Sequence, residues 1–461
     1  MPHLPAVHFA SILGFVLGIL LLTRELKQRR APSVTFAWIL IIVLVPYVGV
    51  PLYLMFGGRK IRKRAESKQK LYGPALETRD DEMPIERLLS GMGVPKTTND
   101  NAVELLPNGE TAYAELMALI ASAERSLHIA TFVFGGDAVG DAILEALAAR
   151  AKQGVEVRLL IDGVFAYKVN RALAQSLRDA GGRIAFFAPL IHIPFRTRTN
   201  LRLHRKLALA DGSRAISGGM NLAQEYLGPV PLASRWRDMA LRIEGSAVAD
   251  FEHVFRADWE FTTGEKLAPL DSTALAATPR AKSPTAVRIV ASGPDVATDT
   301  LYDVILSSIF AAQKRIWIAT PYFVPDDPIV RALMLACRRG VEVRIIVPDP
   351  SNHLTADLAG ASSLRDLEEQ GASVRPYRLG MLHAKVTLFD DTMALVGSAN
   401  LDMRSLFLNY EIDAVLYGSP EIAGVAAWFT DLTSVCATSL HPATRLRAVI
   451  EDVARLIGPL E

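Results

Sequence analysis

The chain has 461 residues, half of them hydrophobic, with 50 basic and 49 acidic side chains and a formal net charge of +1. That balance is too apolar for a disordered chain and excludes a general polycation, so nothing in it points to nucleic acid as a partner. Two cysteines, Cys337 and Cys436, exclude a disulfide framework and a cysteine-rich metal site.

The charges are unevenly placed. From Met1 to Lys68 there are ten Lys or Arg against two acids. Val7 to Thr23 carries no charged side chain apart from a neutral His8 and runs into the basic cluster Arg24–Arg30, and Ala31 to Gly58 carries none and runs into Arg59–Arg64. Apolar runs of this length cross ~30 Å of hydrocarbon as helices. Residues 1–64 therefore read as an N-terminal helical membrane anchor with two hydrophobic helices. No basic stretch precedes the first run and no small-residue cleavage site follows it, which argues against a removed signal peptide. Pro46, Gly49 and Pro51 interrupt the second run, so a kinked span and a re-entrant segment fit it equally. The re-entrant form puts both basic clusters, and with them the rest of the chain, on the cytoplasmic side. Residues 65–100 read as a polar tether.

The remainder repeats itself. SLHIATFVFGGDAVGDAILEALAARAKQGVEVRLLIDG aligns with RIWIATPYFVPDDPIVRALMLACRRGVEVRIIVPD: a strand ending at Thr131 or Thr320, an amphipathic helix closed by Gly154 or Gly340, then a second strand. These are βαβ units, and each leads through another helix to a histidine-bearing strand, RLHRKLALAD or MLHAKVTLFD. Two α/β sandwich repeats follow, at 101–260 and 286–461, with a Pro/Thr/Ala-rich linker at 261–285. Similar halves in one chain can pack about a pseudo-twofold axis, which brings equivalent residues face to face.

Those residues carry the chemistry. His204 and Lys206, like His383 and Lys385, are two apart and share a face of an extended strand. Asp211 and Asp390 lie five or more positions on and point the other way. SGGMN, ending at Asn221, and VGSAN, with Ser398 and ending at Asn400, supply small-residue turns and amide donors, with Asp238 and Glu411 downstream. A single H-x-K is a common surface pattern; two at equivalent repeat positions, each with Asp, a glycine turn and Asn, are specific.

The repeated H-x-K-x-x-x-x-D followed by G-G-x-N or G-S-x-N resembles the signature of the phospholipase D superfamily. The extended second copy, LHAKVTLFDDTMALVGSANLDMRSLFLNYEI, and the anchor with Trp38, Pro46, Gly49, Tyr53 and Gly57 are similar to its bacterial cardiolipin synthase branch. The resemblance implies a phosphatidyltransferase that moves a phosphatidyl group from one phosphatidylglycerol to another and releases glycerol, at the bacterial inner membrane, with no metal and no cofactor. It implies catalytic triads His204, Lys206, Asp211 and His383, Lys385, Asp390, with His204 as nucleophile and His383 as acid and base. Asn221, Asn400 and Ser398 would hold phosphate, and Asp238 and Glu411 would orient the imidazoles. Arg196, Arg198 and Arg202, in the segment before His204, are candidates to meet anionic headgroups. A hydrolytic phospholipase D, or a transferase using another alcohol, would share this catalytic core.

Overall fold

Aliphatic and β-branched runs in the two repeats form the strands, and their helices are closed by the residues that close helices elsewhere. The helix Ala138–Lys152 is capped by Asp137, whose carboxylate accepts from the backbone of Val139 and Gly140, and it buries Ile143, Leu144 and Leu147 on one face. Its counterpart Asp327–Arg338 is capped by Asp326. Gly154 and Gly340, just past the two helices, take left-handed φ values of 88° and 85°. In the computed structural model, residues 70–78, 82–188, 201–268 and 284–457 are described, together with Ile42 and Lys68. All but one position of the expected anchor at 1–64 lies outside the described residues. Among these, no helix is long and apolar enough to cross a membrane.

The first half contributes β1 (Thr98–Leu106), β2 (Ser126–Thr131), β3 (Glu156–Asp162), β4 (Arg183–Phe187), β5 (Leu207–Ala210), β6 (Arg214–Gly218) and β7 (Ala240–Glu244). The second contributes β8 (Thr285–Ser292), β9 (Arg315–Ala319), β10 (Phe323–Val324), β11 (Glu342–Pro348), β12 (Ser373–Tyr377), β13 (Val386–Phe389), β14 (Met393–Gly397), β15 (Leu401–Asp402) and β16 (Glu411–Leu416). Outward from the centre the order is β1-β7-β6-β5-β2-β3-β4 on one side and β8-β16-β14-β13-β9-β11-β12 on the other, the same topology twice. Within this sheet, among the described residues, β2-β3-β4 and β9-β11-β12 pair in parallel, as the βαβ units require, and the remaining pairs in each half are antiparallel; β10 and β15 form a separate parallel pair.

β1 and β8 pair with each other, so both halves belong to one 14-stranded sheet. The halves also share a core. Phe251, Phe255 and Trp259 on the helix Val248–Thr263 belong to one apolar cluster with Val425 and Phe429 on the helix Ser419–Ser434, Leu203 and Leu382. Each fully buried side chain of this size contributes roughly 1.5–3 kcal/mol, so parting the halves is costly.

The tether is less loose than its polarity suggests. Ile85 and Leu89, on the helix Pro84–Gly91, join the core of the second half. Lys68 is wholly buried and donates to Asp258 and, at 2.7 Å, to Asp295. Arg205 completes the group, with Nη1 2.7 and 2.9 Å from the Asp258 oxygens and Nη2 3.2 Å from those of Asp295. Two cations and two anions balance, and the Tyr410 ring lies 4.5 Å from the Lys68 ammonium.

Candidate active site

The histidines do not lie within strand ladders as expected. β5 starts at Leu207 and β13 at Val386, so His204–Lys206 and His383–Lys385 form the segments leading into them. Those segments bond to the opposite half. His204 N donates to Tyr410 O at 3.0 Å and Tyr410 N to Arg202 O at 3.0 Å, while His383 N donates to Arg237 O at 2.7 Å and Arg237 N to Met381 O at 2.8 Å. These short parallel bridges carry the side chains across as well. His204 Nδ1 lies 2.8 Å from Glu411 Oε2, and His383 Nδ1 lies 2.7 Å from Asp238 Oδ2. Each imidazole thus takes its carboxylate from the other half through Nδ1, which turns its Nε2 away from that carboxylate.

Both imidazoles, Asn221 and Asn400 line one cavity of about 610 Å³. Phe132 stands edge-on to His204 at 5.0 Å between ring centroids, and Tyr226 and Trp236 flank His383 at 5.0 and 5.4 Å. Lys206 Nζ donates to His204 O at 2.6 Å, and Lys385 Nζ lies 2.8 and 3.0 Å from the ring nitrogens of His383. Asn221 uses its oxygen to accept from Val133 N at 3.1 Å, and its side chain also hydrogen-bonds Tyr226. The buried Asn400 Oδ1 has no partner among the described residues, an acceptor suited to a hydroxyl.

Two expected roles change. Ser398 is wholly buried, donates to Glu411 at 2.6 Å and accepts from Ile412 N at 2.9 Å. It steadies the carboxylate instead of facing the cavity. Asp211 and Asp390 lie outside the cavity, in the turns after β5 and β13, with left-handed φ values of 57° and 52°. The Asp211 carboxylate accepts from the backbone of Glu124, Arg125 and Ser126, and that of Asp390 from Gln313, Lys314 and Arg315. The motif aspartates pin the strands β2 and β9 beside the histidine segments. The glycine turns also serve protein, not ligand: a Cβ on Gly219 would strike Asp238, and one on Gly397 would strike Asp413.

Burial shapes the charge. It holds both imidazoles well below their ordinary range, helped by the ammonium groups of Lys206 and Lys385. It also pushes Glu411 up to about 7 and Asp238 up to about 6, and draws Lys206 down to about 8 and Lys385 down to about 7. An anion entering this space would supply the negative charge that favours the protonated form of both lysines. Arg196 and Arg198 lie outside the described residues, whereas Arg202 lines the cavity. Asp402, Arg404, Tyr226 and Trp236 were not singled out from sequence. A charged DMR following the Asn400 turn was the available signal for the first two.

Comparison with known proteins agrees with this geometry. Residues 116–259 and 305–433 match the family described as cardiolipin synthase, PLD-like domain, and residues 13–58 match a phospholipase D-nuclease N-terminal family. Cardiolipin synthase 1 of Bacillus cereus is 33% identical over 458 residues, covering 94% of this chain and 90% of that protein. The cardiolipin synthase of Alkalihalophilus pseudofirmus is 32% identical with the same coverage. Among solved structures, phosphatidylserine synthase of Haemophilus influenzae superposes with a TM-score of 0.61 at 16% identity, over 87% of this chain and all of that one.

Proposed function

The chain belongs to the cardiolipin synthase family of phospholipase D-like phosphatidyltransferases, and on that premise we propose that it joins two phosphatidylglycerols through a phosphohistidine on His204. The observation that carries the proposal is the crossed pair of carboxylate–imidazole contacts facing one cavity.

In the first half-reaction Nε2 of neutral His204 attacks phosphorus of a phosphatidylglycerol. Glu411 holds the Nδ1 proton and offsets the charge that develops on the ring. The bond from phosphorus to the glycerol oxygen breaks, and His383, which the negative charge of the bound phosphate and Asp238 bring into its protonated form, gives its proton to that oxygen. Glycerol leaves. The hydroxyl of a second phosphatidylglycerol then gives its proton to His383 and attacks phosphorus. The P–N bond breaks, and His204 returns to its neutral state with cardiolipin formed. Lys206, Lys385 and the Asn221 amide hold the non-bridging oxygens throughout. The exchange needs no redox partner, no metal and no cofactor.

The apolar runs at 7–23 and 31–58, and the family match over 13–58, support an inner-membrane anchor that keeps the catalytic halves, 101–260 and 286–461, at the cytoplasmic lipid surface. Labelling of cysteines placed at Lys27 and Lys63 in intact cells tests the topology; labels on opposite faces would rule out the re-entrant form. For the reaction, purified full-length protein is supplied with phosphatidylglycerol vesicles. Cardiolipin with equimolar glycerol supports the reading, and phosphatidic acid alone would replace it with a hydrolase. Phosphoenzyme trapped on His383 would reverse the two histidine roles.

A further inference from the structure

The catalytic groups of the cavity come in pairs related by the repeat, but its charged lining does not. Arg202 stands two residues before His204, and the same place before His383 is Met381. Arg404 stands four residues after Asn400, and the same place after Asn221 is Glu225. Arg202 and Arg404 both line the cavity, while Met381 and Glu225 do not. Their two charges are close enough to act on each other unfavourably, and burial together with that repulsion draws Arg404 below its ordinary range. The acids acting on Arg404 are Asp402, which accepts from Ser405 N at 2.7 Å, Asp162, which accepts from Arg202 Nη1 at 3.2 Å, and Glu411, already paired with His204. Burial raises Asp162 to about 6 and lifts Asp402 above its ordinary range. One end of a pseudo-symmetric pocket thus carries two guanidinium groups, one from each half, with no counterpart at the other end among the described residues.

The proposed reaction has a use for it. Lys206 and Lys385 serve the phosphorus under attack, and the acceptor carries a phosphodiester of its own, three carbons away from the attacking oxygen. We propose that Arg202 and Arg404 form a second phosphate subsite that holds the phosphodiester of the acceptor lipid, selecting alcohols that carry a phosphate over simple alcohols and water. The inference rests on the phosphatidyltransferase reading above and deepens it. The planar guanidinium fork suits a phosphodiester, and the two groups straddle the junction of the halves, beside His204 and Asn400.

Two soluble acceptors separate this subsite from the catalytic centre. Full-length protein in phosphatidylglycerol micelles is given labelled glycerol, which re-forms phosphatidylglycerol, or labelled glycerol 3-phosphate, which forms its phosphorylated counterpart. The phosphoenzyme step is common to both. Wild-type protein is expected to favour glycerol 3-phosphate, and Arg404→Gln to lower the ratio of the two transfer rates by about 10- to 100-fold, with partial recovery in Arg404→Lys. Arg202→Gln is expected to shift the ratio in the same direction. Because the readout is a ratio, loss of folded protein does not imitate it. Equal falls in both rates, or an unchanged ratio, would overturn the subsite. Wild-type protein that transfers to neither acceptor would instead overturn the transferase reading.

Discussion

Replacing the buried Glu411 by Gln tests the crossed pairing directly. The carboxylate accepts from His204 Nδ1 at 2.8 Å and from Ser398 Oγ at 2.6 Å, and Asn409 Nδ2 approaches it at 3.4 Å. Glutamine keeps the volume and one acceptor oxygen but no charge. It can also present an N–H to the imidazole and so favour the wrong tautomer. A hydrogen bond to a charged group is worth about 1.5–3 kcal/mol. If that stabilisation is felt only as the ring of His204 becomes cationic, kcat falls roughly 10- to 150-fold. The assay is cardiolipin formation from phosphatidylglycerol at saturation by the purified protein, with a melting curve alongside. KM is expected to change little, since Glu411 touches imidazole and not lipid. A kcat within twofold of wild type, in a protein that melts normally, would show that the carboxylate from the second half does not assist the histidine of the first.

Lys385, drawn down to about 7 by burial, must be protonated to hold phosphate. KM for phosphatidylglycerol should therefore rise as pH climbs above about 7, by up to tenfold per unit, and a KM that stays flat from pH 6 to 9 contradicts it. Lys68→Met leaves Arg205 facing two buried carboxylates, which should cost about 3–5 kcal/mol in chemical denaturation. Lys70→Met, at an exposed position, should cost nothing measurable. Asp211→Ala removes three backbone contacts and puts a Cβ-bearing residue without a polar side chain at φ 57°, so stability should drop by about 2–3 kcal/mol. Its kcat, measured well below the melting point, should stay near wild type. Burial opposes the shift, but the backbone donors of Arg125, Ser126 and Glu124 and the Arg214 guanidinium hold the Asp211 carboxyl below its ordinary range. Its contribution is thus complete above the unfolded value and lost as pH falls through the folded one.

The duplicated architecture and the meeting of His204 with His383 were legible because strand and helix periodicity repeat visibly along the chain. Which carboxylate serves which histidine was not. The bridges from Leu203 to Tyr410 and from Arg237 to Leu382 fix that pairing, and they link segments whose register no local pattern encodes. The shared sheet was hidden for a similar reason. β1 opens TNDN, a polar stretch that becomes strand where β8 pairs with Thr98 and Asn101, while β7 pairs with the Ala102–Leu106 part that follows. Lys68 looked like one more charge in a solvated tether, and its burial depends on Asp258 and Asp295, some 190 and 227 residues away. Asp211 was rightly turned from the histidine face, though by a left-handed turn past the strand end and not by strand alternation.

The exchange of carboxylates between halves also bears on how the protein comes into being. Synthesis delivers the first half before the second, and N-terminal portions fold as they emerge. At that stage His204 exists without Glu411, and Asp238 without His383. A nascent or truncated polypeptide therefore lacks both carboxylate–imidazole pairs, and the cavity is complete only once the last strands have closed over the first.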